Sequence, residues 1–424
     1  MTIPQTLLIT GTLPGTAGPG ALYLRELCAT FPHDRIACFC PTSHSTHAKS
    51  PDLDWLPTEQ PDWNHDRARR PLPGRLGSAY SICDFLWTRK INVSSLANAA
   101  IQQGRDIKAE LVWGVLDSPV TYALAPLVAK ALRVPLVTTV WDPPDALCRS
   151  LKHGRTVRRW MEAAFDAAIA ASVRCAVASE NMQIEFASRF PRTQSIIMRH
   201  APHLDDYLSE SPADANFTIG LSGSIYAEQE WTALIKALNL CRWTIGGRPA
   251  SIHVYGNRLD VWCSQPAAIH FFGWQSAEEV RRKMAALSCG YVPYWFDPEY
   301  TDSVRLCFPT KLTIYLSCGL PVLFHGPRSS SPGRFVDQSH CGIVCDSLDP
   351  RHVADSLNQL AVTPRSEMTA AGRAALEREL NLDIFMNRFR EFLGVAPDSL
   401  TNAGNWRVAA SANPNRKPQS TAVH

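Results

Sequence analysis

A chain of 424 residues is too long for one ordinary core, and the usual domain size of about 100 to 200 residues points to two domains with some chain left over. Hydrophobic residues at 45% against 19% charged exclude a disordered chain. A net charge of +3, without an RNP, zinc-finger or homeodomain pattern, gives no ground for a nucleic-acid partner. Thirteen cysteines scattered through apolar segments, with no CxxC pair, read as buried reduced thiols and place the chain in a reducing compartment. The opening MTIPQTLLIT lacks the basic start and cleavage site of an export signal, and no uncharged stretch reaches the roughly 18 to 20 apolar residues that span a bilayer.

From Thr6 to about Ala361, short β-branched runs alternate with helical periodicity. TLLIT, RIACFC, LVWGVL, PLVTTVW, CAVAS and SIIMR read as strands, with helices over residues 21–30, 122–132 and 157–171 between several of them. TLLIT runs into GTLPGTAGPG, whose glycines at 11, 15, 18 and 20 do not follow the GxGxxG order, so a nicotinamide dinucleotide is disfavoured. Gly15 and Gly18 still allow close backbone approach to a ligand; a plain mobile loop is the alternative. The first 200 residues carry 22 Lys and Arg against 17 acids, which makes this the basic half. Within it, residues 149–160 (RSLKHGRTVRRW) hold Arg149, Lys152, Arg155, Arg158 and Arg159 and no acid, suited to anionic lipid or to solvent.

After the polar stretch 203–216 the pattern restarts with FTIGLSG, SIHVYGN, IHFFGW, GYVPYW, PVLFHG and GIVCD. The expected organisation is a first unit over 1–202, a linker over 203–216 and a second unit over 217–380. An amphipathic helix over 381–395 follows, with Phe385, Phe389 and Phe392 on one stripe, and then a disordered tail over 396–424. The alternation is that of βαβ units, so the fold class is α/β with parallel sheets covered on both faces.

Three segments of the second half carry chemistry. FTIGLSGSIYAEQ sets Ser222, Gly223 and Ser224 between a strand and a helix, where backbone amides can cradle a phosphate. Phe272 and Trp274 flank Gly273 and offer a face or a backbone edge to a nucleobase, or are ordinary core. Ser276 and Glu279 form a capping box. The third is FPTKLTIYLSCGLPVLFHGP, residues 308–327. Pro309 opens a helix from about Thr310, the Leu312, Tyr315 and Leu316 stripe is buried, and Gly319 with Pro321 ends it. Lys311 thus falls in the first turn, where free N–H groups already favour negative charge; it is out of place there unless an anion joins it or it is simply solvated.

Together these segments resemble the C-terminal nucleotide-sugar domain of GT-B glycosyltransferases, in particular the large retaining group that includes bacterial polysaccharide enzymes. TVWDPPDAL and VASENM in the first half resemble segments of the same group, and the likeness covers most of residues 6–395. The resemblance implies two Rossmann-like domains facing a cleft, the first acceptor-side and the second nucleotide-sugar-binding. It implies transfer of a sugar from a nucleotide-sugar to a glycan or lipid-linked acceptor in polysaccharide or glycoconjugate synthesis, with no cofactor and no metal. The setting is cytoplasmic, with the basic run as a peripheral membrane contact on the inner face. It places Gly223 and Ser224 by the diphosphate, Gly273 near the base and Lys311 with Thr310 at the donor end; Ser222, Gly256, Phe272 and Tyr315 complete the expected donor-binding set, and Gly15, Gly18 and Trp141 the acceptor side. Arg305 and Lys311 would offset charge on the leaving group, and Asp142 or Asp302 would meet sugar hydroxyls, which makes Asp142, Arg305 and Lys311 the catalytic candidates.

The sequence also departs from that group. Its Glu-x7-Glu pair falls on Leu306 and Ile314, its histidine after the VPLVTT-like strand on Trp141, and its basic pair near the glycine turn is replaced by Ser224 and Gln229. Two alternatives stay open: a non-catalytic GT-B subunit that binds or activates a partner glycosyltransferase, and a nucleotide-sugar epimerase, which needs acid/base carboxylates and histidine in the cleft.

Overall fold

The computed structural model describes residues 3–16, 18–41, 49–61, 93–150, 154–202, 204, 207–208 and 215–395, save the side chains of 146, 149 and 150. The expected tail, most of the expected linker, Lys152, Cys83 and the Arg149 side chain lie outside this set. Apart from short 3-10 turns, the first half runs β1 (Thr6–Ile9), α1 (Pro19–Cys28), β2 (Ile36–Phe39), β3 (Thr58–Glu59), α2 (Val93–Asp106), β4 (Leu111–Val115), α3 (Pro119–Leu132), β5 (Leu136–Thr139), α4 (Pro144–Ser150), α5 (Arg155–Ala170), β6 (Arg174–Val177), α6 (Glu180–Arg189) and β7 (Gln194–Ile197). The second half runs β8 (Phe217–Ser222), α7 (Glu228–Leu240), β9 (Thr244–Ile245), β10 (Arg248–Tyr255), β11 (Ile269–Phe271), α8 (Ala277–Ala285), β12 (Cys289–Pro293), α9 (Thr301–Leu306), α10 (Thr310–Ser317), β13 (Val322–His325), α11 (Ser331–Ser339), β14 (Gly342–Cys345), α12 (Pro350–Val362) and α13 (Arg365–Glu379). Helix α14 (Leu382–Leu393) closes the described chain.

Two sheets result. The first has the order β3-β2-β1-β4-β5-β6-β7 and the second β11-β10-β8-β12-β13-β14, each pair parallel; β9 adds an antiparallel hairpin to β10. At two residues β9 is too short to leave a periodic signal in the sequence. Succession reverses direction across the first sheet between β1 and β4, and across the second between β8 and β12. Loops leaving the C-terminal ends of those strands therefore diverge and open a crevice.

Period-two alternation sends Leu8 and Trp113 to one face of the first sheet and Leu7, Ile9 and Val112 to the other. Phe385, Phe389 and Phe392 of α14 cover the first of these faces, with Tyr23 5.1 Å from Phe385 and Trp113 5.2 Å from Phe389 between ring centres. Each such buried side chain contributes about 1.5 to 3 kcal/mol, so the last described helix is a structural part of the first sheet's core. The halves meet again at α9. Leu306 is buried among Tyr122, Phe165 and Phe186 of the first half. Ser179 Oγ donates to its carbonyl, Asn181 Nδ2 donates to the Arg305 carbonyl at 3.0 Å, and Ser303 Oγ donates to Asp145 at 3.0 Å. Ten of the twelve described cysteines are buried.

Candidate active site

Helix α10 is placed by one tyrosine. Tyr315 and Lys311 lie four residues apart and so share a helix face. The Tyr315 ring fills space that Gly290 of β12 leaves free, where a Cβ would come within 2.3 Å of the ring. Its hydroxyl accepts from the Ser222 N–H at 2.8 Å and from Ser222 Oγ at 3.3 Å, which ties α10 to the C-terminal end of β8; burial lifts its pKa to about 12. One turn earlier, the Lys311 ammonium comes to the turn after β8, 3.3 Å from where a Gly223 Cβ would stand.

The turn itself requires glycine twice. Gly223 has φ +80°, and its carbonyl would lie 2.0 Å from a Cβ on Gly256, so the ends of β8 and β10 approach as only glycine permits. Asn257 Oδ1 accepts from the Ile225 N–H at 2.7 Å and fixes the outgoing chain.

Lys311 is half-buried and pairs with no carboxylate among the described residues. The Tyr226 ring centre lies 4.6 Å from Nζ. Loss of hydration lowers the ammonium's pKa to about 8, as expected of a cation without a counter-ion.

The first half supplies the opposite wall. Asp142 follows β5; it is reached by solvent along the cleft but otherwise surrounded by protein. That environment raises its pKa, against a hydrogen bond from the Cys307 thiol, and Asp145 raises it further. Trp141 lies against Gly20, where a Cβ would come within 2.7 Å of the indole, and its buried Nε1 has no hydrogen-bond partner among the described residues. Gly18 is the N-cap of α1 with φ 88°, and the buried Gly15 donates its N–H to the Ala21 carbonyl at 3.1 Å. Sequence reading passed over Asp117, at the end of β4, which accepts from the Gly11 N–H at 2.9 Å and holds the loop after β1 in place; burial raises its pKa against bonds from Gly11, Thr12 and Thr10. Tyr226 was passed over too, because a lone aromatic after a glycine turn has no signature.

Other candidates fall elsewhere. Thr310 begins α10 beside Lys311. Phe272 stacks on Tyr255 at 5.0 Å and 13° and stays 43% exposed, while Gly273, φ +69°, faces open space at the edge of the second sheet. The Arg305 guanidinium pairs with Glu185 of α6 and with Asp302, bridging the two halves, and lines a separate interdomain cavity that Lys311 does not reach. Leu306 and Ile314 face protein: Leu306 enters the first half's core, and Ile314 packs against the second's. Of the basic run, Arg158 pairs with Glu162, and Arg155 and Arg159 are exposed. Among the described residues no helix is long and apolar enough to cross a membrane, and no group of three His, Cys, Asp or Glu side chains is placed to hold a metal ion.

Two Rossmann-like units with a crevice between them, and a glycine turn facing the Lys311 ammonium, have counterparts among known proteins. HepE of Anabaena, solved with UDP, superposes with a TM-score of 0.62 over 92% of this chain and 99% of its own, at 15% identity. Sucrose-phosphate synthase of Thermosynechococcus elongatus gives 0.62 over 91% and 98%, at 13% identity. The UDP-forming α,α-trehalose-phosphate synthase of Burkholderia xenovorans gives 0.61 over 92% and 100%, at 12% identity. The fold is GT-B. Within it, residues 237–387 match the family described as glucosyltransferase 3-like, C-terminal domain, a span that includes β10 to β14, α10 and Lys311. No curated protein matches the sequence. In this GT-B chain the glycine turn and α10 lie at the C-terminal ends of the second unit's strands, where ligands of open α/β sheets are held.

Proposed function

We propose that the protein is a glycosyltransferase that takes a sugar from a nucleotide-sugar and passes it to a glycan or lipid-linked acceptor in polysaccharide or glycoconjugate synthesis. One observation carries the reading: the Lys311 ammonium, desolvated and without a carboxylate partner among the described residues, stands over the Gly223 turn. A diphosphate placed there satisfies the ammonium and the turn's amides together, and the same contacts strengthen as the leaving group gains charge. HepE is described with UDP and with UDP-glucose, so a uridine donor is the first to test. Asp142 of the first unit, which takes the Cys307 thiol as a donor, would hold a sugar hydroxyl, with Trp141 Nε1, Gly15 and Gly18 on the acceptor side. The donor is the only small molecule the scheme needs; retention of configuration and a cytoplasmic setting, with Arg155 and Arg159 against the inner membrane face, complete the proposal.

A second reading, a GT-B subunit that binds a donor nucleotide but works through a partner enzyme, draws on Leu306 and Ile314. Both occupy packing positions where the resemblance sets carboxylates. Thermal-shift and hydrolysis assays with UDP, GDP, ADP and their glucose conjugates decide between them. A ligand at a hundred times its Kd adds about 2.7 kcal/mol of stability. Stabilisation by one nucleotide with turnover of its sugar supports the enzyme, stabilisation without turnover supports the subunit, and a flat response across the panel removes both.

A further inference from the structure

Helix α10 leaves one narrow strip uncovered. Thr310, Lys311 and Ile314 are half-buried while Leu312, Thr313, Tyr315 and Leu316 are buried, so the three share one arc of the helix. Lys311 faces the Gly223 turn, and Thr310, the arc's one neutral polar side chain, stands before it at the helix start. One turn further on, the arc ends in Ile314. Its inner side packs against the cluster of Tyr255, Leu312 and Tyr315, as does Val280 of α8.

That end of the strip leads to a flat aromatic surface. Tyr255 ends β10 and carries Phe272, stacked at 5.0 Å, whose ring stays 43% exposed. Lys283 of α8 has its Nζ 5.8 Å from the Phe272 ring centre and 6.0 Å from that of Tyr255. Both rings lie at the C-terminal ends of their strands, the ligand side of an open parallel sheet, and an exposed ring there is a platform for a nucleobase. A nucleoside diphosphate with its diphosphate at Lys311 and its base on Phe272 lays its pentose between these points, over Ile314. Polar groups on the α8 side are already engaged: Lys283 Nζ donates to Gln275 Oε1 at 2.6 Å, and Glu279 accepts from the Ser276 N–H and Oγ in the capping box. Isoleucine offers a pentose hydroxyl neither donor nor acceptor, so a hydroxyl set against it gains nothing over a C–H.

We propose that this protein does not read the 2′-hydroxyl of its donor. It holds 2′-deoxynucleoside diphosphates as tightly as ribonucleoside diphosphates, deoxyribonucleotide-linked sugars belong to its donor class, and Ile314 is the residue that makes the site indifferent. The inference rests on the glycosyltransferase reading above and concerns the pentose alone.

Calorimetric titration of the full chain with UDP and 2′-deoxy-UDP, which differ by one oxygen, tests it. Wild type is compared with Ile314→Gln, which offers the pentose an amide, and with Ile314→Thr, a smaller change that offers a hydroxyl; glutamate is avoided because it would pair with Lys311 three residues before it. The expected result is wild-type affinities within about threefold of each other, and in at least one variant a preference for UDP of about fivefold or more, the size of a hydrogen bond between neutral groups. A wild type that prefers UDP by more than about threefold overturns the inference but spares the donor site. Two variants as indifferent as wild type overturn the assignment to Ile314. If wild type binds neither nucleotide, the functional reading falls and this inference with it, so whether UDP binds at all tells the two failures apart.

Discussion

The Lys311 ammonium stands 4.6 Å from the centre of the Tyr226 ring and takes no carboxylate as a partner among the described residues. A cation over a ring face gains about 0.5 to 2 kcal/mol, which offsets only part of the cost of burying it. Lys311→Ala should therefore leave the thermal midpoint unchanged or raise it, while UDP affinity drops by about 1.5 to 3 kcal/mol, the usual range for a hydrogen bond to a charged group. Lys311→Arg should recover only part of this, because the guanidinium is a planar fork in a space shaped for a point charge. Calorimetry with UDP decides it, and an alanine variant that binds like wild type rules the site out.

The lowered pKa makes a pH prediction with a definite sign. Between about 8, where the folded protein releases this proton, and the ordinary lysine value near 10.4, the unfolded chain holds more protons than the folded one. This group's contribution to stability therefore rises with pH through that window, and below it the folded state carries the cost of the buried charge. A bound diphosphate favours the ammonium, so UDP binding near pH 8.5 should take up protons. Titrations in buffers of different ionisation enthalpy measure the uptake, and its persistence in Lys311→Arg would assign it to another group.

Tyr315→Phe removes one oxygen. The Ser222 N–H is then buried without its acceptor, at a cost of about 1 to 3 kcal/mol, and α10 loses its tie to β8. We expect a lower thermal midpoint together with weaker UDP binding, since Lys311 rides on the same helix face. A fall in stability with unchanged affinity would show that Lys311 is positioned by packing alone.

Leu306→Glu writes back the carboxylate that the family resemblance sets at this position. Its side chain enters the apolar cluster of Tyr122, Phe165 and Phe186, so an unpaired charge would be buried there. The expected outcome is a loss comparable to or beyond the 2 to 5 kcal/mol of a Leu→Ala change in a core, with no gain in transfer. Urea denaturation of Leu306→Ala and Leu306→Glu measures it; a glutamate variant as stable as wild type and more active would place this residue in the cleft after all.

The α/β class, the glycine turn at Gly223 and the place of Lys311 in the first turn of α10 were legible in the chain itself. Strand runs, helix periods and the positions of glycine and proline are local, because backbone sterics and nearest-neighbour burial set them. Aspartates and lone aromatics carry no such local mark. That Asp117 holds the loop after β1, that Tyr226 sits beneath Lys311, and that Arg305 reaches to Glu185 were decided only when residues 85 or more apart in sequence came together. The same holds for Leu306: its apolar side chain announces burial, but which half of the molecule buries it is a matter of how two separately wound sheets dock. Sequence periodicity specifies each layer, and only packing between layers specifies the cleft.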